Sequence, residues 1–281
     1  MNTYVITGAS DGIGAELARQ IAARHRGAAA LVLAARQRER LDEVAARCQA
    51  LGADTLVVPT DVTDEAQCRR LIDAAVQRFG GIDCLVNNAG VSAHALFEEV
   101  RAQDLRWYQD LMTVNLWGSV WCTHAALPHL KAARGRLVAV SSLAGLIGVP
   151  GRTAYSATKF AMTGFFEALR AELKPAGVSV TTAYPGVVAT EIRRHGLDAR
   201  GQTAGRSGLK EDEAMPVDVC ARLILDGLEA RRREVVMTTR GKLGRFLKLV
   251  APGRVEAMAL AALADEAKPR DGSAGPAPER G

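Results

Sequence analysis

What this chain lacks narrows its class before any motif is read. Its five cysteines, Cys48, Cys68, Cys84, Cys122 and Cys220, are odd in number and scattered, and no two stand as Cys-x-x-Cys. A disulfide framework and a zinc cage are excluded, and a reducing compartment is expected. No run of about 18 uncharged apolar residues exists to cross a bilayer, and no basic leader with an apolar core precedes residue 4. A cytoplasmic protein is therefore expected. The five histidines, His25, His94, His124, His129 and His195, form no ligand pattern with acids or cysteines, so no metal is expected. Only His94 and His195 fall near loops expected to line a pocket. Aromatic residues make up 5% of the chain and offer no stacking platform. The basic residues are dispersed except near the C-terminus, so nucleic acid is not an expected partner. No internal repeat is present.

What is present fits one large domain. The chain has 281 residues, of which 48% are hydrophobic, enough for a sizeable core. Short β-rich runs at residues 4–7, 30–34, 55–58, 82–86, 137–140 and 178–183 alternate with helical patterns at 12–25, 39–51, 65–79, 104–130 and 153–174. Such alternation builds βαβ units, and the expected fold is α/β, a doubly wound parallel sheet with helices on both faces. A polar stretch at 190–215 is too long for an ordinary connection and reads as a substrate lid. A helix at 217–230, started by Pro216, and a short strand at 234–238 follow. The domain is expected to span 1–264, and the tail 265–281 is too polar to order itself.

Chemistry concentrates at a few spacings. Tyr155 and Lys159 are four residues apart in a helical pattern, so both side chains lie on one face. A positive charge beside a phenol favours its ionised form and suits it to proton transfer near neutral pH. Ser142 stands thirteen residues upstream of Tyr155, at the end of an apolar strand-like run. Near the N-terminus, Thr7-Gly8-Ala9-Ser10-Asp11-Gly12-Ile13-Gly14 follows the first strand and opens a helix. Glycines there let bare backbone approach a pyrophosphate, which the helix N-terminus attracts. About twenty residues on, where an Asp or Glu would hold a ribose 2′-hydroxyl, the chain reads Ala34-Ala35-Arg36. Arg36, with Arg38 or Arg40 nearby, could pair with the 2′-phosphate of NADP, so NADP is favoured over NAD.

With these residues assembled, the chain resembles the short-chain dehydrogenase/reductase family from about residue 4 to residue 238. The turn through Gly8, Ser10, Asp11, Gly12, Ile13 and Gly14 matches the family's cofactor turn, and Asp61-Val62 its adenine contact. Asn87-Asn88-Ala89-Gly90 matches the fourth-strand motif, and Pro185-Gly186 through Val188 and Thr190 the nicotinamide segment. Asn115, Ser142, Tyr155 and Lys159 match the catalytic residues. One departure is Asp11, where many NADP-using members carry Lys or Arg. The resemblance implies hydride transfer between a nicotinamide and a carbonyl or alcohol, with Tyr155 moving the proton. It further implies that Ser142 holds the carbonyl oxygen and that Lys159 binds the nicotinamide ribose. Asn115 would distort its helix and bind a water leading from Lys159 to solvent. Members commonly form homodimers or homotetramers. The segment 194–206 and Leu247-Lys-Leu-Val-Ala-Pro-Gly253 are similar to reductases related to 11β-hydroxysteroid dehydrogenase and acyl/alkyl-dihydroxyacetone-phosphate reductase. Those relatives use lipophilic substrates, and many attach to membranes.

Pocket walls are expected from residues 92–96 and 143–151, Val187 and the lid, mostly small or apolar, which suits a hydrophobic carbonyl compound. Arg193, Arg194, Arg200 and Arg206 could receive an anionic group, although solvated arginines are commoner in such segments. At the C-terminal end, eight basic residues and one Glu fall between Arg231 and Arg254. Leu243, Phe246, Leu247 and Val250 recur at helical spacing with Lys242, Arg245 and Lys248 on another face. An amphipathic helix over 242–264 could lie on an anionic membrane, with packing over the active site or a partner subunit the favoured role. Beside the enzyme stands a second class, an NADP-binding regulator without turnover. The tetrad favours the enzyme, since a pure sensor has no need of a tuned phenol.

Overall fold

The computed structural model describes residues 1–193, 195–205 and 214–266. Seven parallel strands form its sheet in the order β3-β2-β1-β4-β5-β6-β7. They are β1 (Asn2–Thr7), β2 (Ala29–Ala35), β3 (Asp54–Pro59), β4 (Cys84–Asn87), β5 (Arg136–Val140), β6 (Ser179–Tyr184) and β7 (Glu234–Val236). The interior strands read as continuous apolar runs because helices cover both faces. On one face α1 (Gly12–His25), α2 (Arg38–Ala50) and α7 (Val217–Glu229) bury Leu17, Ile21, Leu41 and Ile224 against the sheet. On the other, α3 (Glu65–Phe79), α5 (Gly118–Ala132) and α6 (Thr153–Leu173) bury Leu71, Ile72, Leu130 and Phe166.

Strand order reverses between β1 and β4, and the crevice beyond their C-terminal ends is the usual ligand position in such sheets. Hydrogen bonds join the two ends. Thr7 Oγ1 donates to Val86 O at 3.3 Å and accepts from the N–H groups of Asn88 and Ala89 at 3.0 and 3.1 Å. Asn88 Nδ2 donates back to Thr7 O and Gly8 O at 3.0 and 3.1 Å. This leaves no room behind the glycine turn: a Cβ on Gly14 would lie 2.3 Å from Gly8 O and 2.6 Å from Asn88 Nδ2. Gly8 itself has φ +65°, in the left-handed region. Asp11 caps α1, its Oδ1 accepting from Gly12 N at 2.6 Å.

Two helical expectations, at 104–130 and 242–264, differ from what forms. The helical pattern at 104–130 is divided into α4 (Arg106–Met112), one π-turn over Thr113–Trp117, and α5. The wider turn carries Asn115, an amide that bonds outside its own helix. The described parts of 190–215 are tied down at both ends. His94 N donates to Leu197 O and Leu197 N to Ser92 O, both at 2.9 Å, while Met215 N donates to Val187 O at 2.8 Å. Finally, the C-terminal helix expected over 242–264 is two helices, α8 (Thr239–Val250) and α9 (Pro252–Glu266). Proline has no N–H to continue the first helix and suits the first position of a second. Most of the tail, 267–281, lies outside the described residues. Among the described residues no helix is long and apolar enough to cross a membrane.

Gly14→Ala is expected to destabilise the protein by about 1–3 kcal/mol, the usual cost of overpacking, read as a lower urea midpoint. A midpoint equal to the parent's would show that the turn relaxes around the methyl group.

Candidate active site

The crevice opens into a cleft of about 640 Å³, within the range of about 300–1,000 Å³ typical of small-molecule sites. The glycine turn forms one part of its wall and the start of α6 another. The expected cofactor-facing residues lie along it, from Gly8 and Ser10 through Asp61, Val62 and Asn88 to Pro185, Val188 and Thr190. Gly14 stands behind the turn and supports it without lining the cleft. Arg36 and Arg40 both line it, and Arg40 Nη1 lies 3.7 Å from Asp11 Oδ2. Asp11 thus offsets the charge of Arg40 and leaves Arg36 as the cation nearer the end of β2. Arg38 instead pairs with Asp42 at 3.7 Å.

At the other end stands the cluster expected from the sequence, Ser142, Tyr155 and Lys159. Tyr155 and Lys159 project from α6 into the cleft wall, with Lys159 Nζ 5.7 Å from the centroid of the phenol ring. The Lys159 ammonium is buried and donates to Val140 O at 3.0 Å. Burial pushes its pKa below the usual lysine range, while the negative form of Tyr155 pulls it back up. Ser141 and Ser142 both line the cleft but differ in their bonds. Ser141 Oγ donates to Lys159 O at 3.2 Å and ties β5 to α6. Ser142 Oγ accepts from Ala144 N at 3.2 Å, capping the short turn Leu143–Gly145, and also lines the cleft. Capping and cleft-lining thus coexist in one side chain. The capping bond uses one of its two lone pairs and leaves its O–H able to donate to a ligand oxygen.

Asn115 is fully buried and does not line the cleft. Its Nδ2 donates to Val91 O and Thr158 Oγ1, both at 3.0 Å, and its Oδ1 accepts from Val91 N at 2.8 Å. The amide therefore clamps the loop after β4 onto α6. Asn115 Oδ1 and Lys159 Nζ flank the same space over Gly90, 3.1 and 3.7 Å from where a Cβ there would sit.

Arg152 was not singled out by its position in the sequence. It precedes α6, where nothing in its spacing marks it, yet its guanidinium lies 4.5 Å from the centroid of the Tyr155 ring. Its Nη2 donates to Ser92 Oγ and its Nε to Ala93 O at 3.4 Å. The phenol ring is thus held between a stacked cation and the helix, which fixes its plane. Asp110, Leu111 and Val114 also line the substrate end. Of the two histidines near the loops, His195 lines the cleft, whereas His94 packs beside Gly151. Burial and Arg152 push the His94 pKa down. Arg200 is exposed and off the cleft, while Arg194 and Arg206 lie outside the described residues. Among the described residues no group of histidines, cysteines and acids could hold a metal ion. The five cysteines are buried and unbridged, with burial pushing Cys48 up to about 11 and Cys84 and Cys220 up to about 12. Those three thiols are inert at neutral pH.

Sheet order, glycine turn and Tyr-Lys helix together define a Rossmann-type nucleotide-binding oxidoreductase. The family model for short chain dehydrogenase matches residues 2–200, and the chain belongs to that family. It is 43% identical over 189 residues to 11-beta-hydroxysteroid dehydrogenase A of Sesamum indicum, a match covering 67% of this chain and 53% of that protein. It is 39% identical over 225 residues to 11-beta-hydroxysteroid dehydrogenase-like 4A of Arabidopsis thaliana, covering 80% of this chain and 72% of that one. The chain thus spans about half the length of the sesame relative. Among solved structures it is similar to an alcohol dehydrogenase from the archaeon Thermococcus sibiricus complexed with 5-hydroxy-NADP. The TM-score is 0.69 at 27% identity, covering 82% of this chain and 91% of that one.

The depressed Lys159 pKa has a thermodynamic sign. The unfolded chain holds this proton more tightly, so the group opposes folding at neutral pH, and the penalty fades as pH rises toward the ordinary 10.5. Lys159→Met removes the buried charge, and its unfolding temperature by differential scanning fluorimetry at pH 7 is expected to be no lower than the parent's. A fall of several degrees would show that the bond to Val140 O outweighs desolvation.

Proposed function

We propose that this protein is an NADP(H)-dependent oxidoreductase acting on a carbonyl or secondary alcohol of a lipophilic compound, with Tyr155 as the acid/base. The observation that carries this reading is the placement of Tyr155, Lys159 and Ser142 along one cleft whose far end is the glycine turn. The donor set fits a dinucleotide: the start of α1 offers backbone N–H groups, and the close approach at Gly14 leaves bare backbone facing the cleft. The Thermococcus relative was solved with a modified NADP, which supports the same cofactor class here. Hydroxysteroid dehydrogenase names among the relatives, with apolar Leu111, Val114 and Leu197 on the cleft, support a hydrophobic substrate.

Nicotinamide, when bound, supplies or accepts the hydride. The protein's share is to place an oxygen and move a proton. Ser142 donates its O–H to the substrate oxygen and orients it. Tyr155 gives that oxygen its proton during reduction and takes it during oxidation. Lys159, held by Val140 O, places a positive charge beside the phenol ring. It would also hold the cofactor's ribose. Asn115 is a positioning residue that fixes the loop wall against α6. Arg36 would pair with a 2′-phosphate, and Arg40, shared with Asp11, would add less.

Tyr155→Phe is expected to lower turnover about 100- to 10,000-fold while NADPH binding, followed by its fluorescence, survives. The assay is nicotinamide absorbance over a panel of ketones, aldehydes and alcohols. Full activity in the variant would defeat the acid/base role. Cofactor binding without turnover of any substrate by the parent would instead favour a regulator. Arg36→Asp is expected to shift the NADPH-to-NADH preference by roughly tenfold or more, the worth of a charge-assisted bond. An unchanged ratio of kcat/KM values would reject Arg36 as the selector.

A further inference from the structure

Tyr155 is the third residue of α6 and so stands in its first turn, where the N–H groups have no partner inside the helix and the ends fray. A hydroxyl that must meet one substrate oxygen needs a hold from outside that turn. Arg152 occupies the capping position of α6, yet its side chain makes no capping bond. It reaches over the Tyr155 ring instead, with its guanidinium 4.5 Å from the ring centroid. From there Nε donates to Ala93 O at 3.4 Å and Nη2 to Ser92 Oγ.

The two acceptors belong to a well-tied loop. Ser92 and Ala93 are buried, and Ala95 N donates to Gly151 O at 2.8 Å, so that Ala95 and Arg152 pair as a parallel bridge. On its other side the same loop bonds to Leu197, through Ser92 O and His94 N, both at 2.9 Å. Ser92 and Leu197 line the cleft together with Tyr155. One loop therefore carries part of the substrate wall and, through Arg152, the anchor of the phenol. Arginine suits that position because a flat guanidinium stacks on a ring while its fork serves two acceptors, which an ammonium cannot do at once. With its fork turned to the loop and its charge over the ring, Arg152 is built as a brace rather than as a receptor for substrate.

We propose that Arg152 is a positioning residue for proton transfer at Tyr155, bracing the phenol ring against the loop 92–95. The substrate wall and the reacting hydroxyl then keep one register. The catalytic part of this role rests on the function proposed above; the brace itself does not.

The brace is tested without turnover by NMR of the full chain carrying tyrosine labelled with carbon-13 at the ring ε positions. The chain has four tyrosines, and the signal missing from Tyr155→Phe belongs to Tyr155. That signal is expected to move in Arg152→Ala and also in Ser92→Ala, which keeps the cation and removes one of its acceptors, while the signals of Tyr4 and Tyr184 stay. A Tyr155 signal unmoved in Ser92→Ala would overturn the brace. In the nicotinamide assay, Arg152→Ala is expected to lower kcat about 10- to 100-fold with KM changed less than about threefold, the mark of a misplaced reacting group, and with NADPH affinity that of the parent. Arg152→Lys should recover little of the loss. A raised KM at unchanged kcat would make Arg152 a substrate contact, and full recovery by Lys would show that charge alone matters; either overturns the proposal. If Arg152→Ala does not fold, Ser92→Ala carries both readings, with kcat expected about threefold lower or more. Full activity in Tyr155→Phe would remove the proposed function and this catalytic role with it. Loss of activity there, with Arg152→Ala equal to the parent, would remove this role alone.

Discussion

A lysine ammonium kept out of water at the junction of β5 and α6 is the constraint around which the active end of this protein is arranged. Burial works against its charge, and the protein answers with Val140 O, the nearby phenol and the packing of α6. Each answer also places something else. The residues that hold the sheet edge against α6, Ser141 among them, set Ser142 at the cleft. Structural hydrogen bonding and site geometry are here the same bonds.

The other end of the cleft depends on close approach. Thr7 and Asn88 join the tips of β1 and β4, and the glycine turn fits between them with no space for a side chain at Gly14. A group bound there meets backbone amides and a helix N-terminus rather than side chains, so its recognition relies on charge and shape. Asp11 has two partners in this region, capping α1 and offsetting Arg40. That explains how a carboxylate is accommodated where many NADP-using relatives carry a cation.

Much of this was legible in the chain. Parallel strands buried on both faces are apolar throughout and helices between them are periodic, so α1 and α3 were bounded to the residue. The motif positions also come together, because short connections leave the ends of β1, β4, β5 and β6 on one edge. Less legible was the division of the helix at 104–130. A π-turn leaves little trace in side-chain periodicity, since its cause, the bonds of Asn115 to Val91 and Thr158, is tertiary. Arg152 stands only three residues before Tyr155, but what holds it over the ring, its bonds to Ser92 and Ala93, is again tertiary.

The amino-acid order alone determined the class of fold, the dinucleotide turn and the Tyr155–Lys159 pair, because these rest on local periodicity, on the steric freedom of glycine and on fixed helical spacing. Tertiary structure decided which side of α8 faces inward, what each of two adjacent serines bonds to and which arginines reach the cleft. Those choices depend on what stands opposite each side chain. A stripe that looks ready to pack, with Leu243, Phe246 and Val250 in it, is left exposed when Gly241 and Gly244 on the other side let the backbone approach Leu143 and Ile147 more closely.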